Sequence, residues 1–114
     1  MIELYGIPSC DTVKKARAWL DGRGIDYLFY DYKKVGADAA KLAAWSDAVG
    51  WEALLNRRGT TFRALAEADK ADIDRAKALR LMQASPSLIK RPVAEHGGGL
   101  LVGFDRVQWE QALA

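Results

Sequence analysis

One residue in 114 carries a nucleophilic sulfur, Cys10. It stands in Pro8-Ser9-Cys10-Asp11-Thr12-Val13-Lys14-Lys15. Ahead of it runs a short apolar segment, Ile2-Glu3-Leu4-Tyr5, followed by the breakers Gly6 and Pro8. Behind it Val13, Ala16, Trp19 and Leu20 recur at helical spacing. The pattern predicts strand, tight loop, thiol, helix. A helix start offers unpaired N–H groups and the positive end of the peptide dipole. Both favour the thiolate, the reactive form of cysteine. Lys14, one turn along, adds a cation. A lone cysteine is also at home as a small buried hydrophobe, but a core cysteine would have apolar neighbours, and Cys10 sits among Ser9, Asp11 and Thr12. Position 13, where a CxxC pair would place its second thiol, is Val13. Disulfide chemistry at Cys10 therefore draws its second thiol from another molecule, and glutathione is the obvious donor.

Other polar clusters could serve that sulfur. Asp11 and Thr12 suit a helix start as cap and dipole complement. The Asp11 carboxylate opposes thiolate formation somewhat, yet it could meet the ammonium group of a bound peptide thiol. Leu88-Ile89-Lys90-Arg91-Pro92-Val93 reads as a loop entering a strand, with proline tolerated at the first position. Arg91 is suited to bidentate grip on a carboxylate or oxyanion, and Lys90 adds a second cation. Asn56-Arg57-Arg58-Gly59-Thr60-Thr61-Phe62-Arg63 is either a solvated basic turn or a positive rim for an anionic substrate. His96, the only histidine, lies beside three glycines at a predicted hairpin tip and reads as exposed and non-catalytic. With no second histidine or cysteine, no metal site is expected. Gly97-Gly98-Gly99 precedes no lysine or helix start, so it is no phosphate loop.

The elements that must position these residues follow from the rest of the chain. The first helix is expected to end at Asp21-Gly22-Arg23-Gly24, where glycine suits a left-handed cap. Ile25 to Tyr32 is short and aromatic-rich and predicts a strand. Strand, helix, strand over about 30 residues is a βαβ unit with parallel strands. Residues 38 to 84 are rich in alanine, leucine and charge. Leu42, Trp45 and Val49 form one helical stripe, Trp51 to Leu55 a second, and Phe62, Leu65 and Ala66 a third. Asp72 is expected to cap a last helix with Ile73, Ala76, Leu79 and Met82 inward. Ser85-Pro86 stops the helices. A hairpin from Pro92 to Val102 and a final helix capped by Asp105, with Val107, Trp109 and Leu113 inward or half inward, complete the chain. The expectation is α/β: a four-stranded mixed sheet of thioredoxin-like plan, βαβ…ββα, with an inserted helical subdomain. The 114 residues read as a single domain, with 1–34 and 86–114 as its core and 35–85 as the insertion.

Composition narrows the function classes. The formal net charge of +2 argues against a dedicated nucleic-acid binder. No apolar run approaches the ~20 residues of a membrane helix. The N-terminus shows no charged segment leading an apolar one, and a single cysteine makes no internal disulfide, so a reduced cytoplasmic protein is expected. A monomer is expected.

Taken together, Pro8-Ser9-Cys10-Asp11-Thr12-Val13-Lys14-Lys15-Ala16, Leu55-Asn56-Arg57-Arg58-Gly59-Thr60-Thr61 and Ile89-Lys90-Arg91-Pro92-Val93 resemble the arsenate reductase (ArsC) family, and most closely its YffB branch, with Spx-type regulators as cousins. The resemblance spans essentially the whole chain. It implies a thioredoxin-like (ArsC-like) fold, a catalytic cysteine at Cys10 and a cis proline at Pro92. It also implies three arginines around the cysteine for arsenate chemistry. One falls on Arg91; the other two positions hold Asn56 and Gly103. The YffB branch looks like a glutathione-dependent thiol reductase, and a monothiol site with one retained arginine suits that chemistry. On this reading Cys10 and Arg91 are catalytic, and Asp11, Thr12, Lys14, Asn56, Arg58, Lys90, Arg91 and Pro92 bind glutathione, the co-substrate. The backbone at Arg91-Pro92 would pair with the glutathione backbone as an added strand. The partner set is glutathione, a small oxidised thiol or oxyanion substrate, and glutaredoxin. Arsenate reduction and an Spx-like regulator that binds RNA polymerase are the rival readings.

Overall fold

A computed structural model describes residues 1–113. The chain divides into two compact units, Met1–Val35 with Arg91–Ala114, and Gly36–Lys90.

The first unit is a four-stranded sheet in the order β2-β1-β3-β4. β1 is Ile2–Gly6, β2 Tyr27–Asp31, β3 Val93–His96 and β4 Gly99–Val102. β1 and β2 pair in parallel, with Leu4 opposite Phe29. β1–β3 and β3–β4 are antiparallel. The connection between β1 and β2 is helix α1, Asp11–Gly22. Alternation along the strands puts Ile2, Leu4, Ala94 and Leu101 on one face, where they meet Ala16 and Leu20 of α1 and the fully buried Trp109. Trp109 lies in the last helix, Arg106–Leu113, and its indole N–H donates to the Gly103 carbonyl at 3.0 Å. Burying such a side chain is worth about 3–5 kcal/mol by the cost of truncating it.

The opposite face is aromatic and acidic. Tyr5 stacks on Tyr30 with ring centroids 4.8 Å apart. Glu3 and Glu95 stand directly opposite in the antiparallel register, where like charges repel. Each accepts a hydrogen bond from a tyrosine: Tyr30 Oη donates to Glu3 Oε1 and Tyr5 Oη to Glu95 Oε1, both at 3.2 Å.

Three details of this unit differ from expectation. Helix α2, Tyr32–Val35, follows β2 directly, so Tyr32 ends the aromatic run as a helical residue. β2 itself covers Tyr27–Asp31, inside the expected 25–32. Val107 is 60 % exposed rather than inward. The final helix aims Trp109 and Leu113, one turn apart, at the core, and Val107 falls on the far side. Asp105 does cap that helix, accepting from the Gln108 N–H at 3.1 Å.

The second unit is helical: α3 Ala39–Val49, α4 Trp51–Leu54, α5 Thr60–Arg63, α6 Glu67–Lys70 and α7 Arg75–Ala84, then a 3-10 turn over Pro86–Leu88. Asp38 caps α3 through the Lys41 N–H. The unit runs to Lys90 rather than stopping at 85, because Leu55 and Ile89 form a β-bridge that joins the chain after α4 to the chain after the 3-10 turn. The third stripe is two one-turn helices, not one; Leu65 N–H bonds Phe62 C=O and the chain leaves the helix there. Asp72 is not the cap of α7. It adopts φ 50°, a left-handed conformation that aspartate tolerates, and the helix starts later, with Asp74 accepting from the Lys77 N–H at 2.8 Å. The buried stripe shifts accordingly to Ala78, Leu81 and Met82, leaving Ala76 exposed and Ile73 and Leu79 half-buried.

Candidate active site around Cys10

The loop that carries the sulfur is a tight turn. Cys10 N–H bonds the Ile7 carbonyl at 3.0 Å, with Pro8 at the second position, where its fixed φ is favoured. Ile7 is buried and anchors the turn, while Pro8 and Ser9 are exposed. Gly6 lets the end of β1 approach α1: a Cβ there would lie 2.8 Å from Val13 Cγ2. Cys10 is the N-cap of α1, with extended backbone at φ −73°, ψ 127°, and its carbonyl accepts from Lys14 N–H at 3.0 Å.

The sulfur is half-buried. Partial burial pushes its pKa up. The Val13 N–H, the Arg91 side chain, the Thr12 N–H and the Arg91 charge push it down, and together they hold the thiol below its ordinary value. The thiol closes no strict capping bond in the manner of serine; it lies in the field of two amides and one guanidinium. Arg91 reaches it from the corner before β3, where the Arg91–Pro92 peptide is cis. The Pro92 carbonyl accepts from Gly103 N–H at 2.8 Å, which ties this corner to the end of β4.

Behind the corner stands Tyr32, 1 % exposed, with its ring 6.3 Å from that of Tyr5. Burial drives its phenol far above the ordinary range; Arg91 opposes this, and Tyr5 and Glu95 reinforce it. Tyr32 thus stays protonated, in the field of the same arginine that meets the sulfur.

The structure brings together Cys10, Arg91, the Thr12 amide and Pro92. Asp11 is exposed in the first turn of α1, and Lys14 is exposed further along. Asn56, Arg58 and Lys90 belong to the helical unit. There Asn56 Oδ1 accepts from Arg58 N–H at 3.2 Å, so it shapes its own turn. His96 acts locally too: its Nδ1 accepts from Gly98 N–H at 3.1 Å. Sequence reasoning passed over the Val13 amide, Tyr32 and the tyrosine–glutamate pairs. The alternation of aromatics from Tyr27 to Tyr32 was the available signal.

Sheet order, cis proline and a cysteine at the start of the first helix define a thioredoxin-like protein. The sequence matches the ArsC family over residues 5–112, and the chain belongs to that family. Among solved structures it is similar to the YffB protein, at 56 % identity and TM-score 0.97 with all of both chains covered. It is also similar to an arsenate reductase (ArsC) related protein from Brucella melitensis, at 54 % identity and TM-score 0.78, covering 96 % of this chain and 92 % of that one. The global transcriptional regulator Spx of Listeria innocua is 29 % identical, over 92 % of this chain and 81 % of the regulator. Among the described residues no helix is long and apolar enough to cross a membrane.

Proposed function

We propose that this protein is a glutathione-dependent thiol–disulfide reductase with Cys10 as its nucleophile. The observation that carries the reading is the Cys10 thiol held below its ordinary value by two amides of α1 and by Arg91. As thiolate, Cys10 attacks one sulfur of a disulfide. The S–S electron pair leaves on the departing thiolate, which takes a proton from solvent. Cys10 leaves as thiolate when an external thiolate attacks the attached sulfur. Full reduction of the disulfide to two thiols takes two external thiols, which end joined as a new disulfide and together supply the two electrons. The donor must be external because the chain has one cysteine. Arg91 favours the thiolate in both steps, since Cys10 is attacking group in the first and leaving group in the second. The backbone of Arg91 can pair with an extended peptide thiol, with Asp11, the Thr12 amide and Lys14 at hand for its polar groups. The reading implies a cytoplasmic monomer that can share its oxidised product with glutaredoxin.

The test is intact mass after oxidised glutathione is added. Wild-type protein gains one glutathione per chain and loses it to excess reduced glutathione. Cys10→Ser gains none and turns over no disulfide. Full activity in that variant would end the scheme.

A second reading is favoured by the name of the Brucella neighbour at 54 % identity: arsenate reduction. Arsenate-dependent oxidation of glutathione, coupled to glutaredoxin, separates the two. The likeness to Spx keeps a regulator in view; it is selected by absence of turnover on any disulfide or arsenate, together with co-purification with transcription machinery.

A further inference from the structure

The helical unit holds a charged cavity that the chemistry at Cys10 does not use. Glu52, Leu55, Arg57, Arg58 and Lys90 line a space of about 350 Å³. Its frame is built from backbone. Beside the Leu55–Ile89 bridge, Lys90 N–H donates to Leu54 C=O at 2.7 Å and Asn56 N–H to Leu88 C=O at 2.7 Å. Lys90 is thereby fixed against the turn that carries Arg57 and Arg58. That turn is itself restrained: Arg63 Nη2 donates to Arg58 C=O at 2.6 Å, and Arg57 lies over the Trp51 ring at 5.5 Å. At Gly59 a Cβ would come within 2.9 Å of Asn56 Nδ2, so the turn admits no side chain unless Asn56 moves.

Charge is what points to a ligand. Glu52 lies on the same wall as three cations, yet among the described residues neither it nor Arg57, Arg58 or Lys90 takes part in an ion pair. Exposed charges gain little by pairing in water, so what matters here is that both signs line one cavity. Opposite charges kept apart around one cavity present both signs to a single guest. The volume lies at the lower end of ligand sites, ~300–1,000 Å³, and is ample for an amino-acid headgroup. Leu55, 1 % exposed, supplies an apolar floor.

We propose that this cavity recognises the zwitterionic headgroup of an α-amino acid, with the carboxylate on Arg58 and Lys90 and the ammonium on Glu52. Arginine grips a carboxylate through two parallel N–H bonds, and lysine adds a point charge. The inference deepens the glutathione reading and rests on it for the natural ligand, since a γ-glutamyl residue carries both groups on one carbon. Free amino acids share that chemistry.

The test uses the full chain and S-methylglutathione, which has no thiol to react at Cys10. Its binding is followed by the backbone amides of residues 56–59 and the Trp51 indole in ¹⁵N NMR, beside N-acetyl-S-methylglutathione and glutamate. S-methylglutathione should shift these signals, and blocking its ammonium should weaken binding about fivefold, the worth of one exposed charge contact. Glu52→Gln should bind the free and N-acetylated forms equally, and Arg58→Ala should weaken both. Equal shifts with glutamate assign the headgroup alone as sufficient; shifts with S-methylglutathione only assign the peptide as the source. Absence of shifts at 56–59, or equal binding of the N-acetylated form to wild type, overturns the proposal. Glutathione addition at Cys10 in the same samples keeps the readings apart. Adduct without discrimination sinks the cavity alone, and discrimination without adduct sinks the reductase.

Discussion

In the sheet unit Cys10 and Arg91 are half-buried and Tyr32 is buried, whereas in the helical unit Glu52, Arg57, Arg58 and Lys90 are all exposed. The two regions thus use charge differently. Around Cys10 a guanidinium and two amides act at short range with little solvent between, and the result is a displaced protonation equilibrium. Around Glu52 the charges stand in water, where salt screens them over about 8 Å at physiological ionic strength. The first arrangement changes reactivity; the second can only select and hold. The supports differ as well: the sulfur depends on a glycine contact, a proline turn and a sheet corner, while the cationic turn is held by backbone bonds beside the Leu55–Ile89 bridge and by its own local contacts.

The largest expected effect on this contrast comes from the sheet core. Trp109→Ala should cost about 3–5 kcal/mol, read as a lowered urea midpoint, and should broaden the Cys10 environment while leaving the helical unit's own bonds in place. A loss under 1 kcal/mol would mean that the final helix does not hold the sheet unit together. Next is Gly6→Ala. Its Cβ would press on Val13, and over-packing of this kind costs about 1–3 kcal/mol. Because Val13 also supplies an amide to the sulfur, the variant should raise the Cys10 pKa as well as lower stability. A change in stability alone would separate that packing from the thiol.

A smaller effect is the pH dependence of folding. The Cys10 pKa is depressed in the folded chain, so the unfolded chain binds more protons between the two values. The stabilisation is fully present above the free-thiol pKa of about 8.5 and is lost as pH falls through the folded value. The stability difference between wild type and Cys10→Ser should therefore grow with pH across that window, measured by urea unfolding at matched pH. The smallest effect belongs to the helical surface. Arg75 Nη2 lies 3.1 Å from Asp47 Oδ1 with both side chains largely exposed, and Arg75→Ala should cost no more than about 1 kcal/mol.

Much of this was legible in the residues. The breaker–cysteine–helix order fixed the sulfur at a helix start, and the strand character of residues 2–5, 25–32, 92–95 and 100–102 pointed to the sheet. Arg91 could be placed at the sulfur only through the family resemblance, because the two are 81 positions apart (91 − 10) and no local pattern joins them. The helical unit was read less well. Its alanine-rich run carries helix propensity nearly everywhere, so propensity could not say where helices stop. Side chains decide instead: the Lys77 ammonium binds the Ala68 and Ala71 carbonyls, and Asp74 takes the cap that Asp72 was expected to hold. Glu52 escaped notice because one exposed acid in a helix has no pattern until its cavity is seen.

The most direct measurement is the rate of Cys10 alkylation against pH in wild type and Arg91→Ala. The wild-type midpoint should lie below that of a free thiol, and removing the guanidinium should move it upward. A wild-type midpoint at or above the free-thiol value, or one indifferent to Arg91, would contradict the claim that α1 and Arg91 hold this sulfur as a thiolate.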